Sequence, residues 1–172
     1  MLPGKTGAMR DWSVVSGIVE RDGALLLVAN QRRNGSIDWS PPGGVIEEGE
    51  HEIDALTREV EEETGLTVDS WVGPIYEVAV DLGERGGNLR VVVYRAVTHR
   101  GEFLFDDPDG IVFDAGFHPP AACHAYLLDA PHWVAEPLRD WLAGPWVELR
   151  RYQYRVVRGT TLASLEVERL GP

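Results

Sequence analysis

The 172-residue chain has one cysteine, Cys123, and one lysine, Lys5. A lone cysteine excludes a disulfide framework within the chain. Sixteen basic residues stand against twenty-eight acidic ones, a formal charge of −12. That balance argues against tight binding to a nucleic-acid backbone, which draws its affinity from Lys and Arg. If phosphate is handled, a divalent cation held by carboxylates suits this chain better than a basic channel. No segment is long and apolar enough to span a bilayer. Met1 to Trp12 has no apolar run of the kind a secretory signal needs. The expectations are a cytosolic protein with no membrane partner and no nucleic-acid polymer partner. What remains is ordinary: 44% hydrophobic and 26% charged residues, one domain's worth of globular chain.

Trp12 to Glu20 and Ala24 to Asn30 are short β-rich runs that flank Arg21-Asp22-Gly23 and read as a hairpin. Asn34-Gly35-Ser36 and Pro41-Pro42-Gly43-Gly44 mark a loop. From His51 to Thr64 there is no Gly or Pro, and Ile53, Leu56 and Val60 recur at i, i+3 and i+7. This predicts a helix with one apolar stripe, ended by Gly65 in the left-handed conformation. Leu66 to Val80 and Asn88 to Thr98 flank Gly83 to Gly87 as a second hairpin, and Ile111 to Phe117 is a further strand. Pro119-Pro120 and Pro131 open two helices, the second reaching Ala143 with Trp133 and Trp141 as core. The predicted class is α/β, with helices on both faces of a mixed sheet.

The tail from Trp146 alternates through Tyr152 to Val157, turns at Gly159 and resumes at Leu165. It predicts a β-hairpin-like extension whose edge either folds back on its own sheet or pairs with a second copy as a homodimer. The expected division is a flexible lead over residues 1–11, a domain body over 12–144, and an extension of the same domain over 145–172.

Gly44 to Leu66 carries the chemistry. Gly44 is followed by Glu50, by Arg58-Glu59-Val60, by Glu62-Glu63 and by Gly65-Leu66. Glu59, Glu62 and Glu63 stand at i, i+3 and i+4, so at about 100° per residue they span an arc of roughly 100° beside the apolar stripe. Ala55 lies on that arc and leaves room for something to approach; Glu52 lies there too. Each like-charged pair costs only about 0.2–0.5 kcal/mol on an exposed helix, so repulsion alone decides nothing. A hard Mg²⁺ or Mn²⁺ ion converts such repulsion into coordination, bridges phosphate oxygens and lowers the pKa of a bound water. Arg58 is displaced from the arc and can reach back to Glu50 as a bidentate pair. Gly43-Gly44 lets the backbone come close to a ligand or ion.

This stretch resembles the signature of the Nudix hydrolase superfamily, G-x5-E-x7-R-E-U-x-E-E-x-G-U with U aliphatic, and every specified position is filled. The odds of a chance match are on the order of 10⁻⁷ or less. Trp39-Ser40-Pro41-Pro42-Gly43-Gly44 resembles the usual lead-in. The resemblance implies a Nudix-type α/β/α sandwich with a mixed sheet, and it leaves the tail outside. It implies Glu62 and Glu63 as the main metal ligands, Glu59 as a ligand or the base that activates water, and a carbonyl of Gly43 or Gly44 as a further ligand. Glu50 and Arg58 complete that catalytic set as structural support. The implied reaction is Mg²⁺-dependent hydrolysis of the diphosphate linkage in a nucleoside diphosphate derivative, a small-molecule substrate.

A proline or tyrosine near Asp81 to Gly83 marks the ADP-ribose and diadenosine subgroups; this stretch has neither, and Pro74 and Tyr76 come too early. Within that superfamily the chain therefore looks more like the general group that cleaves nucleoside triphosphates, including oxidised ones, and the resemblance implies a (d)NTP or oxidised (d)NTP as substrate. Hydrolysis of ADP-ribose or another nucleotide sugar is the alternative, with a non-catalytic nucleotide sensor and an isoprenoid-diphosphate isomerase behind it. The isomerase would want a poised cysteine, and Cys123 reads as an inert buried thiol. Asp114 is a candidate for a further metal-binding or water-activating carboxylate, whereas Asp106, Asp107 and Asp109 read as a solvated turn. Trp39 and Phe117 are candidates for stacking on a base. The histidines show no zinc-like spacing.

Overall fold

A computed structural model describes residues 11–32, 34–105, 109–159 and 164–171. In chain order the elements are β1 (Trp12–Ile18), β2 (Glu20–Arg21), β3 (Ala24–Gln31), β4 (Ile37–Ser40), β5 (Gly43–Val45), α1 (Glu52–Thr64), β6 (Thr67–Asp81) and β7 (Asn88–Arg100). They are followed by β8 (Val112–His118), α2 (Pro120–Tyr126), α3 (His132–Ala143), β9 (Arg150–Arg158) and β10 (Glu166–Arg169). The β-branched and aromatic runs form two sheets. The larger has the order β10-β9-β6-β7-β1-β5; in the smaller, β3 pairs with β2, β4 and β8. The larger sheet is mixed, because β1 runs parallel to β7 and β6 parallel to β9 while its other pairs are antiparallel.

Alternation along the strands divides the core in two. On one face Leu56 and Val60 of α1 pack with Val15, Val68 and Ala96. On the other, Trp133, Leu138 and Trp141 of α3 pack with Tyr76, Val78, Val93 and Tyr152. Helices therefore cover both faces, and the fold is the α/β/α sandwich with a mixed sheet. No helix among the described residues is long and apolar enough to cross a membrane.

Local expectations hold where local chemistry governs. Gly65 ends α1 at φ 76, and Asp22 and Gly23, both at positive φ, make the tight turn between β2 and β3. The first hairpin is shorter than expected. β1 already has β7 and β5 on its two edges, so no edge is left for β3, and only Glu20 and Arg21 turn back on Leu25 and Ala24. Ile53 is exposed, and the fully buried Ala55 takes its place on the core side of α1. Ala55 thus leaves no opening among the acids; it is packed inside.

The tail folds back on its own sheet: β9 pairs with β6 from Tyr76–Arg150 to Asp81–Arg155, and β10 pairs with β9. Tyr152, Tyr154 and Val156 enter the core. The outer edge of β10 takes no strand partner among the described residues. The expected N-terminal lead lies outside the described residues, apart from Asp11.

Candidate active site

Residues paired in register share a face of a sheet. Gly43 pairs with Ser16, Ser16 with Val93, and Val93 with Tyr76; the next row runs Val45, Val14, Val91, Val78. These two rows floor a cavity of about 620 Å³, roofed by Asn30, Asp38, Trp39 and Ser40 of the smaller sheet and by Pro131, Trp133 and Val134 at the start of α3. α1 packs on the opposite face. Its acids reach the cavity only around β5, the last strand of the sheet, and glycine opens that path. A Cβ on Gly44 would lie 2.3 Å from the Glu59 carboxyl carbon, and one on Gly43, at φ 152, would lie 2.2 Å from the Val15 carbonyl oxygen.

Glu59, Glu62, Glu63 and Arg58 all line the cavity beside Gly43 and Gly44. The Gly43 amide donates to Glu63 Oε2 at 2.9 Å. Arg58 grips Glu50 with a fork, Nε to Oε1 and Nη2 to Oε2 at 3.0 Å each. Its Nη1 donates to Glu59 Oε1 at 2.9 Å and to Glu62 Oε2 at 3.2 Å. One guanidinium thus ties the loop before α1 to two of the acids. Hydrogen bonding to Arg58 holds the Glu50 carboxyl below its usual range. Burial pushes Glu59 the other way, with the charges of Glu62 and Asp109 adding to it against the pull of Arg58.

Among the described residues no three His, Cys, Asp or Glu side chains converge as a ready metal cage. Arg58 holds Glu59 and Glu62, and the Gly43 amide holds Glu63. The donor chemistry nonetheless suits a hard cation: three glutamates and the Gly43-Gly44 backbone line the cavity together. Mg²⁺ characteristically takes one or two carboxylates and completes its shell with substrate phosphates and water, so it does not require an all-protein cage.

Of the other residues singled out in the sequence, Trp39 lines the cavity, its ring centroid 4.7 Å from Tyr126 and 5.3 Å from His118. Phe117 does not line it: Phe117 pairs with Leu26 and packs with the α1-side core, under the Arg21 guanidinium at 4.3 Å and beside His99 and Phe103. Asp114 is exposed on β8, paired with Ala29, and its Oδ1 accepts from the Ala115 amide. Neither is brought to the acids. The carboxylate from this region that lines the cavity is Asp109; Asp106, Asp107 and Pro108 lie outside the described residues. Glu52 is turned away to Arg90 and to the Tyr94 hydroxyl, at 2.8 and 2.6 Å. Cys123 is fully buried, and burial pushes its thiol pKa up.

Sequence reasoning missed part of the polar roof. Asn30 donates to Ser40 Oγ at 3.0 Å, and Arg32 forks onto the buried Asp38 at 2.7 and 2.9 Å. The available signal was Asn30 itself, a polar residue continuing the unbroken apolar run Leu25 to Ala29. Tyr76 gave no such signal, since within an alternating strand it is indistinguishable from core.

An acid-bearing helix wrapped around a glycine edge strand, on an α/β/α sandwich, defines a class of domain suited to metal-assisted work on phosphates. Residues 9–141 match the NUDIX domain model, and the chain belongs to that family, whose hydrolases act on nucleoside diphosphate derivatives. A 52-residue stretch, 30% of this chain, is 40% identical to the ADP-ribose pyrophosphatase of Methanocaldococcus jannaschii, of which it spans 31%. The MutT NUDIX hydrolase of Burkholderia pseudomallei superposes with a TM-score of 0.57 at 25% identity, covering 65% of this chain and 85% of that one. A MutT protein of Bacillus halodurans shares the fold with a TM-score of 0.66 at 21% identity, over 91% of this chain and 97% of its own.

Proposed function

We propose that this protein is a divalent-cation-dependent hydrolase that cleaves the diphosphate linkage of a nucleoside diphosphate derivative, with a (d)NTP or oxidised (d)NTP as substrate. The observation that carries this reading is the joining of three α1 glutamates and the Gly43-Gly44 backbone at one end of a cavity whose floor is apolar. Phosphates belong at the acid end and the nucleoside on the valine floor.

Glu59, Glu62, Glu63 and a Gly43 or Gly44 carbonyl would hold the cation, magnesium or manganese. When bound, it neutralises phosphate charge and lowers the pKa of a coordinated water. Arg58, anchored on Glu50, positions α1 against β5. Where Glu59 is not a ligand, its carboxyl, pushed up by burial, is suited to take a proton from the attacking water. Asp109, which lines the same cavity, takes the place of Asp114 as the candidate for a further metal-binding or water-activating carboxylate. Trp39, which lines the cavity, offers a stacking surface for the base, whereas Phe117, packed with the α1-side core, does not.

Hydrolysis of ADP-ribose or another nucleotide sugar is the second reading, favoured by the 40% identity to the ADP-ribose pyrophosphatase over 52 residues. The test is a panel of nucleoside triphosphates, oxidised counterparts and nucleotide sugars incubated with Mg²⁺, with products resolved by mass. The expected outcome is nucleoside monophosphate and pyrophosphate. Monophosphate with a sugar phosphate decides for the second reading. Absence of turnover above a Glu62→Gln/Glu63→Gln control defeats both and leaves a binding protein. A cytosolic location belongs to the same proposal. A homodimer would pair through the outer edge of β10, and sedimentation velocity checks it.

A further inference from the structure

Three of the five tyrosines donate their hydroxyl to a carboxylate: Tyr94 to Glu52 at 2.6 Å, Tyr152 to Asp140 at 2.9 Å and Tyr154 to Glu136 at 2.8 Å. Tyr76 differs. It is 4% exposed and lines the cavity, and its hydroxyl makes no hydrogen bond to any described residue. The ring is buried, but the hydroxyl is not one of the sealed, unpartnered polar atoms among the described residues, so it is open to hydrogen bonding from the cavity. A hydroxyl that faces a cavity finds its partner in what fills the cavity. Burial pushes its ionisation far above the ordinary tyrosine value, so it remains a donor.

The position of Tyr76 is set by register. The row Gly43, Ser16, Val93, Tyr76 crosses three strand spacings, about 14 Å in all. At one end lies the amide held by Glu63, and at the other lies Tyr76. Between them Val14, Val91, Val78 and Val93 make an apolar floor beneath Trp39 and Trp133.

The tail holds Tyr76 from behind. Its ring meets Tyr152 edge-on at 5.9 Å and Trp146 at 6.3 Å, and Trp146 Nε1 donates to the Ile75 carbonyl at 3.1 Å. Both partners lie beyond residue 141, where the family match ends.

We propose that Tyr76 is a specificity-determining residue: the substrate lies across the strands from Gly43 to Tyr76, and the Tyr76 hydroxyl donates to an acceptor on the outer edge of the distal heterocycle, with the C-terminal segment fixing the ring. The proposal rests on the hydrolase reading only for the place of the phosphates.

The test is calorimetric binding of non-hydrolysable triphosphates carrying adenine, guanine, cytosine or uracil, alongside the abasic deoxyribose analogue, to the full chain with Mg²⁺. The wild type is expected to prefer at least one heterocycle over the abasic analogue. Tyr76→Phe removes a donor that has no internal partner, so Tm holds while that preference shrinks about tenfold, the worth of one hydrogen bond. Trp146→Leu, which strips the ring behind Tyr76 without touching the cavity lining, is expected to shift the preference in the same direction by less. An unchanged order and strength of binding in Tyr76→Phe overturns the proposal, as does a wild type that prefers no heterocycle to the abasic analogue. If no substrate is turned over but the preference exists and is lost in Tyr76→Phe, the hydrolase reading fails and this one stands.

Discussion

Gly44→Ala separates folding from chemistry at one atom. Gly44 is not at positive φ, so alanine fits its backbone, and the close obstacles to the new Cβ are the Glu59 carboxyl carbon at 2.3 Å and its oxygens at 2.4 and 2.5 Å. Ordinary contact starts at 3.4 Å, so the carboxyl must retreat by about 1 Å (3.4 − 2.3). A flexible side chain can do that. The retreat loosens a partly exposed contact with Arg58 worth about 0–1 kcal/mol. Replacing glycine also restricts the unfolded chain, which offsets this by about 0.4–1 kcal/mol. Tm is therefore expected to stay within about 2–4 °C of wild type. Turnover is expected to fall about 10²-fold, since an ångström of misplacement in a catalytic group has that effect.

The assay is kcat/KM on the best panel substrate, read beside calorimetric Tm. Gly43→Ala is the control: its Cβ meets the Val15 backbone oxygen at 2.2 Å, at φ 152, so it should lose stability first. In a Glu59→Ala background, Gly44→Ala should cost nothing further. Activity within threefold of wild type for Gly44→Ala, or an equal loss with Glu59 already removed, refutes the placing of Glu59 in the reaction.

Further outcomes follow from the charge environment and the tail. Glu59→Gln should raise Tm without added metal and cut turnover about 10²–10³-fold. The raised folded pKa of Glu59 means that its stabilising share is present at acid pH and lost as pH rises through that value. Calorimetry should accordingly show a flatter limb above pH 4.5 in the variant. Tyr94, raised from 10.0 to about 12 by burial and its bond to Glu52, should contribute stability below pH 10 that drains away between pH 10 and about 12; Tyr94→Phe should flatten that alkaline limb in Tm measurements. Deleting residues 145–172 removes Tyr152, Tyr154 and Val156 from the core and uncovers the edge of β6. The remainder is expected to lose cooperative unfolding by circular dichroism, and a sharp transition near the wild-type Tm would show that the tail is dispensable.

Much of this was legible from local chemistry. The spacing of Glu59, Glu62 and Glu63 on a Gly- and Pro-free segment determines one acid-bearing helix, Gly65 determines where it stops, and the reach of Arg58 to Glu50 follows from the same geometry. These depend on bonds a few residues long, which a linear pattern encodes. Which wall those acids would face, and what would stand across from them, was decided only by strand order. That order wraps α1 around β5, brings residues 43, 16, 93 and 76 into one row, carries Asp109 to the cavity, leaves Asp114 and Phe117 off it, and sets the tail behind Tyr76. Pairing between segments tens of residues apart has no signature in the periodicity of either one, because alternation states that a side chain has a face and not which neighbour that face will meet.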